Sequence, residues 1–367
     1  MEEERTYVAS PLKLMWWKFK KHRMALVAGV VLATLYLCAL FAEVVAPYDP
    51  FVFNARYTFM SPQAVHFVDP HGALQAPFTY EMVKKRDPKT FVTTYTEDAI
   101  KPTHAVRLFV QGQPYKLWGL IPARIHLIGV EGEDKGGSYF LLGTDSQGRD
   151  LLSRIIYGTR VSLSVSLVGI LFSLILGIML GGVSGYFGGW VDMLIQRAIE
   201  FFQSIPTLPL WMGMAAAIPL NWDPLTVYFI ITLLLSLLGW TGLARVVRGK
   251  FLSLREEDFI LAARMLGGSD RRIIFRHMVP SFLSYIIAVT TLAIPDLILS
   301  ETALSFIGLG LRPPVVSWGV LLKDAQNLRS VALAPWLLTP AAVLIVAVVA
   351  FNFFGDGVRD AADPYVR

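Results

Sequence analysis

The chain has 367 residues, 54% of them hydrophobic and only 17% charged, with a mean hydropathy of +0.52. Soluble globular domains carry about 25% charge, so the composition excludes an ordinary water-solvated module and makes lipid the first solvent to consider. The net charge of +5 comes from basic residues flanking apolar runs and calls for no nucleic-acid partner.

Residues 1–23 carry Arg5, Lys13, Lys18, Lys20, Lys21 and Arg23 and are expected to stay in the cytoplasm, where basic flanks of spanning helices are retained. Residues 24–46 read as a first transmembrane helix. Basic residues ahead of an apolar run also describe a cleavable signal peptide. This run instead ends in Phe41-Ala42-Glu43-Val44-Val45-Ala46-Pro47, without a small-x-small cleavage signature, which favours an uncleaved helix. The only cysteine, Cys38, lies within it, so neither an intrachain disulfide nor a thiolate metal cluster is available.

Residues 47–160 change character: both signs of charge appear and prolines recur, the pattern of a folded extracytoplasmic insertion. Ala105-Val106-Arg107-Leu108-Phe109-Val110 and Tyr115-Lys116-Leu117-Trp118 flank Gln111-Gly112-Gln113-Pro114, which predicts a β-hairpin turning at the Gly/Pro stretch. The polar stretch 54–101 reads as largely loop. Phe109, Tyr115, Trp118, Tyr139 and Phe140 suit the core of a small β unit, or stacking on sugars.

Residues 161–356 hold five further apolar runs, 161–191, 201–222, 224–244, 278–311 and 330–355, making six spans of an all-α membrane protein. The fifth carries Asp296 and Glu301 toward one end. Intramembrane acids are costly, which makes both candidates for lining a pathway. The segment 245–276 has eight Lys/Arg, against none in 219–224 and three in 312–329, so both termini, including the tail 357–367, are expected in the cytoplasm.

Within that basic segment, Ser253-Leu254-Arg255-Glu256 reads as a capping box that starts a short helix. Phe259, Ala262, Ala263 and Leu266 then share one face, and Gly267-Gly268 stops the helix. Ser269 and Asp270 are placed to cap the next helix, which enters the fifth span through Pro280. The adjacent alanines permit close approach by a partner; an interfacial helix lying on headgroups is the alternative. Asp145, Arg149, Asp150 and Arg154 alternate in sign before the second span, either as a solvated helix start or as a paired network at an outer gate. No phosphate-binding loop occurs, since Gly249-Lys250 is followed by Phe251. No two histidines have the i, i+4 spacing of a metal site, and no serine or cysteine stands in a nucleophile motif, so a membrane-bound enzyme is a weak reading.

Leu261-Ala262-Ala263, Gly267 and His277-Met278-Val279-Pro280 resemble the EAA signature of ABC importer permeases. Leu142-Gly143-Thr144-Asp145-Ser146-Gln147-Gly148-Arg149-Asp150, Ser204-Ile205-Pro206, Leu304-Ser305-Phe306-Ile307-Gly308-Leu309-Gly310, Trp318-Gly319 and Phe351-Asn352-Phe353-Phe354-Gly355-Asp356-Gly357, with Asp363-Pro364 behind, are similar to the second-type permease subunit of the dipeptide, oligopeptide and nickel family. The resemblance implies the six-helix type I importer fold, with 161–356 as its transmembrane core and the loop 249–277 as an ATPase-coupling element. The implied contacts are Glu256, Glu257, Asp258, Phe259, Leu261, Ala262, Ala263, Leu266 and Gly267. Leu261 stands where the signature usually has glutamate, and Glu257 and Asp258 lie within a turn upstream.

The same resemblance implies a related first-type permease, two ABC ATPases that hold ATP and Mg, an extracytoplasmic solute-binding protein, and a bacterial or archaeal inner membrane. This chain then holds neither cofactor nor metal, and Asp145, Arg149, Asp150, Asp296 and Glu301 are outer-gate or pathway candidates. Di- or oligopeptides are the implied cargo, with oligosaccharides or a metal chelate as the alternative. A passive channel or scaffold is the reading from another class; it predicts flux or assembly without ATPases.

Overall fold

The computed structural model describes residues 11–68, 72–86, 88, 93–98, 104–130, 139–219 and 221–362. Arg5, Asp363-Pro364 and the end of the tail 357–367 lie outside these residues, as do parts of the expected loop 54–101. The first elements are helices α1 (Pro11–Phe19), α2 (Arg23–Leu40) and α3 (Ala42–Val45). Strands β1 (His66–Val68), β2 (Leu74–Thr79), β3 (Glu81–Arg86), β4 (Thr93–Asp98), β5 (His104–Leu117) and β6 (Ile121–Val130) follow. Then come α4 (Leu151–Phe187), α5 (Gly189–Ser204), α6 (Thr207–Ala216), α7 (Pro224–Leu254), α8 (Asp258–Met265), α9 (Asp270–Arg272), a π-helical turn Ile273–Met278, and α10 (Val279–Ser281). The chain continues through α11 (Leu283–Ile307), α12 (Trp318–Asp324), α13 (Leu328–Leu333) and α14 (Thr339–Ala362).

Among the described residues five helices are long and apolar enough to cross a membrane: α2, α4, α7, α11 and the stretch Pro335–Ala362 that ends in α14. The expected third span, 201–222, is not a single helix. Ile205 adopts an extended conformation (φ −90°, ψ 127°) and separates α5 from α6. The cause is Pro206, which has no N–H to donate and whose ring forces the preceding residue out of the helical region.

The chain divides into two compact units, one built on Ser164–Leu304 with parts of both ends, the other on Thr34–Leu163 and Ser305–Ile345. In the first, α4 and α7 approach closely along glycines. A Cβ added at Gly177 would stand 2.8 Å from Leu243, one at Gly181 would stand 2.4 Å from the Ala244 carbonyl oxygen, and one at Gly185 would stand 2.6 Å from Phe251. Small residues let helix backbones meet in a medium that provides no hydrophobic drive between helices. This contact carries α7 into the expected capping box: Val247 and Phe251 are fully buried, and the helix runs unbroken to Leu254. Ser253 therefore lies in the last turn of α7 and starts no helix, because packing of the last turns outweighs a local side-chain cap.

In the second unit the insertion is richer in strands than expected. β1, β2, β5 and β6 form an antiparallel sheet in the order β1-β2-β5-β6, and β3 and β4 form a separate hairpin. The stretch 54–101 is thus partly sheet. Its Tyr57, Met60 and Met82 cluster with Phe140, and Tyr48 and Tyr95 pack against them.

The expected hairpin exists, but it turns elsewhere. Gln111 pairs with Ile125 and Tyr115 with Ala123, so four positions advance on β5 against two on β6. The Gly/Pro stretch is absorbed as a bulge. The reversal falls at Trp118 and Gly119, both in the left-handed region (φ 52° and 75°). Of the five aromatics, Tyr139 and Phe140 are buried, whereas Phe109 and Trp118 are exposed.

The carbonyls at the end of α2, which have no partner within the helix, are taken by side chains. Arg160 donates from Nε to Ala39 O at 2.7 Å, and Trp118 donates from Nε1 to Leu40 O at 2.8 Å. Arg160 also holds Glu43 through both guanidinium branches, at 2.8 and 2.6 Å.

Candidate functional site

Two constructions hold the residues singled out above. The first is α8. Glu256, Glu257 and Asp258 are exposed at its start, and Glu257 occupies the N-cap position without a side-chain cap bond. Asp258 in the first turn suits the positive end of the helix dipole. Ile260 is fully buried and Ala263 half-buried against Tyr186, Phe251, Ile273 and Met278. The remaining apolar side chains point away: Phe259, Leu261 and Ala262 are exposed, and Met265 and Leu266 are 89% and 88% exposed. Of the quartet expected on one face, Phe259, Ala262 and Leu266 face outward while Ala263 turns inward with Ile260.

The helix stops where glycine is required. Gly267 has φ +75°, its N–H donates to Arg264 O at 3.0 Å, and the Gly268 N–H donates to Ala263 O at 3.0 Å. This closes the open carbonyls of the last turn. Ser269 stands at the N-cap of α9 with no side-chain bond, while Asp270 accepts from the Tyr186 hydroxyl at 2.5 Å. Arg264 lies over the Tyr186 ring at 5.5 Å, a cation–π contact. Beside it Arg248 donates to both oxygens of Asp192, at 2.6 and 2.5 Å, and Ser184 donates to the same carboxylate at 2.5 Å. The ends of α4 and α7 thus hold α8 on a fixed base, with a greasy outer surface and an acidic leading edge.

The second construction buries charge. Asp145 is fully buried and accepts from the backbone N–H groups of Gln147 (2.8 Å) and Arg149 (3.0 Å), from Arg149 Nε (2.7 Å) and from Arg154 Nη1. Arg154, 1% exposed, also lies 3.5 Å from Asp324 on α12. Asp150 is turned away from this pair. Its Oδ2 accepts from the N–H and hydroxyl of Ser153, at 2.8 and 2.6 Å. Burial pushes its carboxyl up to about 6, against the Ser153 hydrogen bonds. Asp324 is also raised by burial, opposed by the Arg154 charge.

Tight backbone contacts and two indoles fasten this segment. A Cβ at Gly148 would stand 1.9 Å from Asn54 O, and one at Gly143 2.5 Å from Met60 O. Trp336 Nε1 donates to Thr144 O at 2.9 Å, and the fully buried Trp318 donates from its indole to Thr159 at 3.2 Å. The charge alternation is therefore a paired network and not a solvated helix start.

Asp296 and Glu301 lie on α11 in the other unit, Asp296 exposed and Glu301 buried. Asp324, Tyr186, the Asp192–Arg248 pair and the glycine contact of α4 went unread as sites in the sequence. The regular spacing of Gly177, Gly181 and Gly185 is the one signal that would have exposed the last.

Residues 162–367 match the family described as "Binding-protein-dependent transport system inner membrane component", and residues 10–64 match "N-terminal TM domain of oligopeptide transport permease C". The oligopeptide transport system permease protein OppC of Haemophilus influenzae is 41% identical over 62% of this chain and 71% of its own length. The dipeptide transport system permease protein DppC of Lactococcus lactis is 39% identical over 64% and 66%. OppC of Escherichia coli is 41% identical over 64% of this chain and 74% of its own length. The chain is a multi-pass membrane protein and belongs to the binding-protein-dependent transport system inner membrane component family.

Proposed function

We propose that this chain is one translocating subunit of an ATP-driven importer of di- or oligopeptides, and that α8 is the surface on which a partner ATPase pushes. The observation that carries the reading is the outer face of α8, where Phe259, Leu261, Ala262, Met265 and Leu266 are exposed above an anchored base. A contiguous apolar patch on a soluble-facing element marks an interaction site. Leu261, in place of the usual glutamate, makes this face more apolar, and Glu257 and Asp258 at the leading edge supply the acidic contacts. The names of the relatives support peptides as cargo over oligosaccharides or metal chelates.

The working assembly contains a related permease, two ATPases that bind ATP and Mg, and a solute-binding protein. The charge count supports an orientation with α8 and both termini in the cytoplasm and the strands outside. If α5 and α6 together cross as one interrupted span, six crossings return the chain to the side from which it started. The buried Asp145–Arg149–Arg154 network then fixes the outer end of α4, and Asp296 and Glu301 remain candidates for the pathway wall.

Reconstitution of the full complex in proteoliposomes tests this. Labelled peptide should accumulate only with ATP, the ATPases and the binding protein together. Peptide flux that is unchanged without the ATPases would establish the passive channel instead. Accumulation of an oligosaccharide or a chelate, and not of peptide, would overturn the cargo.

A further inference from the structure

The turn between β5 and β6 is built unlike a solvated one. Leu117-Trp118-Gly119-Leu120-Ile121-Pro122-Ala123 carries no charge and is bracketed by Lys116 and Arg124. Leu120 is 80% exposed, and Trp118 and Ile121 are about half exposed. Exposed turns in water favour Gly, Pro, Asn, Asp and Ser, so three large apolar side chains here need another solvent.

The position of the turn names that solvent. Its indole donates to Leu40 O, the last residue of α2, at 2.8 Å, and its ring lies 5.8 Å from Phe41. α2 has 18 residues, which at 1.5 Å each is about 27 Å, close to the roughly 30 Å hydrocarbon thickness. The end of α2 therefore falls at the boundary between hydrocarbon and headgroups, and the turn lies at the same depth. Tryptophan is the residue enriched at that boundary. Lys116 and Arg124 are exposed just behind the apolar tip, where long basic side chains meet lipid phosphates.

We propose that the β5–β6 turn is a lipid anchor, with Trp118, Leu120 and Ile121 seated in the interface of the leaflet at the end of α2 and Lys116 and Arg124 against its phosphates. The occupant is phospholipid and not a protein partner, because the hydrogen bond to Leu40 sets the turn level with the end of a span. The inference rests on α2 crossing the membrane and is independent of the cargo.

Nitroxide accessibility in the complete importer, with cysteine-free partners, tests it in nanodiscs of phosphatidylethanolamine and phosphatidylglycerol. The background is Cys38→Ser, with reporters at Leu120→Cys and, separately, Ile121→Cys. Val30→Cys on α2 reports a spanning position, and Thr96→Cys on β4 reports water. Oxygen should relax the labels at 120, 121 and 30 more than a water-soluble nickel complex does, with the order reversed at 96. Nickel-dominated relaxation at 120 and 121 with oxygen still dominant at 30 would place the turn in water and overturn the anchor alone. Protection from both relaxants there would mean a covering protein and would equally overturn it. Nickel dominance at 30 would overturn the span and the anchor together.

Discussion

The surface of α8 and the segment around Asp145 solve opposite problems. At α8 apolar side chains are left uncovered on a rigid base, whereas at Asp145 charged groups are taken fully out of water. The first arrangement contributes little to the stability of this chain and is explained, in the proposed function, by a partner ATPase that covers it. The second is costly to desolvate and stands because both oxygens of Asp145 accept hydrogen bonds, two from backbone N–H groups and two from guanidinium groups. Substitutions should therefore separate them: one region loses fold, the other loses coupling.

The largest effect is expected at the buried network. Asp145→Ala leaves the buried Arg154 with only the longer 3.5 Å contact to Asp324, and breaking a buried pair costs about 3–5 kcal/mol; denaturant unfolding in detergent should show the loss. Adding Arg154→Met should recover much of it, because an apolar replacement of the whole pair is often neutral. No recovery would mean that Arg149 and Asp324 dominate the site.

Next is Gly181→Val, whose Cβ would meet the Ala244 carbonyl oxygen at 2.4 Å. Backbone cannot yield as a side chain can, and overpacking of this kind costs about 1–3 kcal/mol, read as a lowered unfolding midpoint. Gly267→Ala is smaller, about 1–2 kcal/mol for a left-handed residue with a Cβ, and Gly267→Asn should recover part of it.

A shallower effect follows from Asp150. Its carboxyl is raised from 3.8 to about 6 in the folded chain, so the folded state binds the proton more tightly than the unfolded one. The resulting stabilisation is complete below the lower value and is lost as pH rises through about 6. Asp324 acts in the same direction. Unfolding midpoints between these pH values should fall with rising pH, and Asp150→Asn should flatten the slope.

Least of all should Ala262→Arg disturb stability, within about 0.5 kcal/mol for an exposed position. It should nevertheless abolish ATP-driven uptake and copurification of the ATPase. Retained uptake would remove α8 from the coupling role.

What could be read from sequence follows from the range of the forces involved. Five of the six expected spans, the Gly267 stop and the existence of a hairpin rest on local composition and on residues a few positions apart, and they were legible. The expected start at Ser253 fails because the burial of Val247 and Phe251 depends on Gly181 and Gly185, more than sixty residues away. The hairpin turn shifts because a bulge accommodates Gly112 and Pro114, while Trp118 takes a left-handed conformation that residue type alone disfavours. The 201–222 run has the composition of a span, yet Pro206 interrupts it. Asp145 and Arg154 were legible as charges, but their partner Asp324 is remote in the chain.

The unbroken length of α7 has a geometric consequence. Its 31 residues measure about 46 Å at 1.5 Å each, some 16 Å more than the hydrocarbon layer. If the helix crosses near the normal, its final turns form a stalk beyond the lipid, and α8 sits on that stalk as a raised landing pad. In the proposed coupling role, a protein arriving at α8 meets a stiff post that only residues 255–257 separate from α8, so its push is carried along a single strut and through three residues of turn.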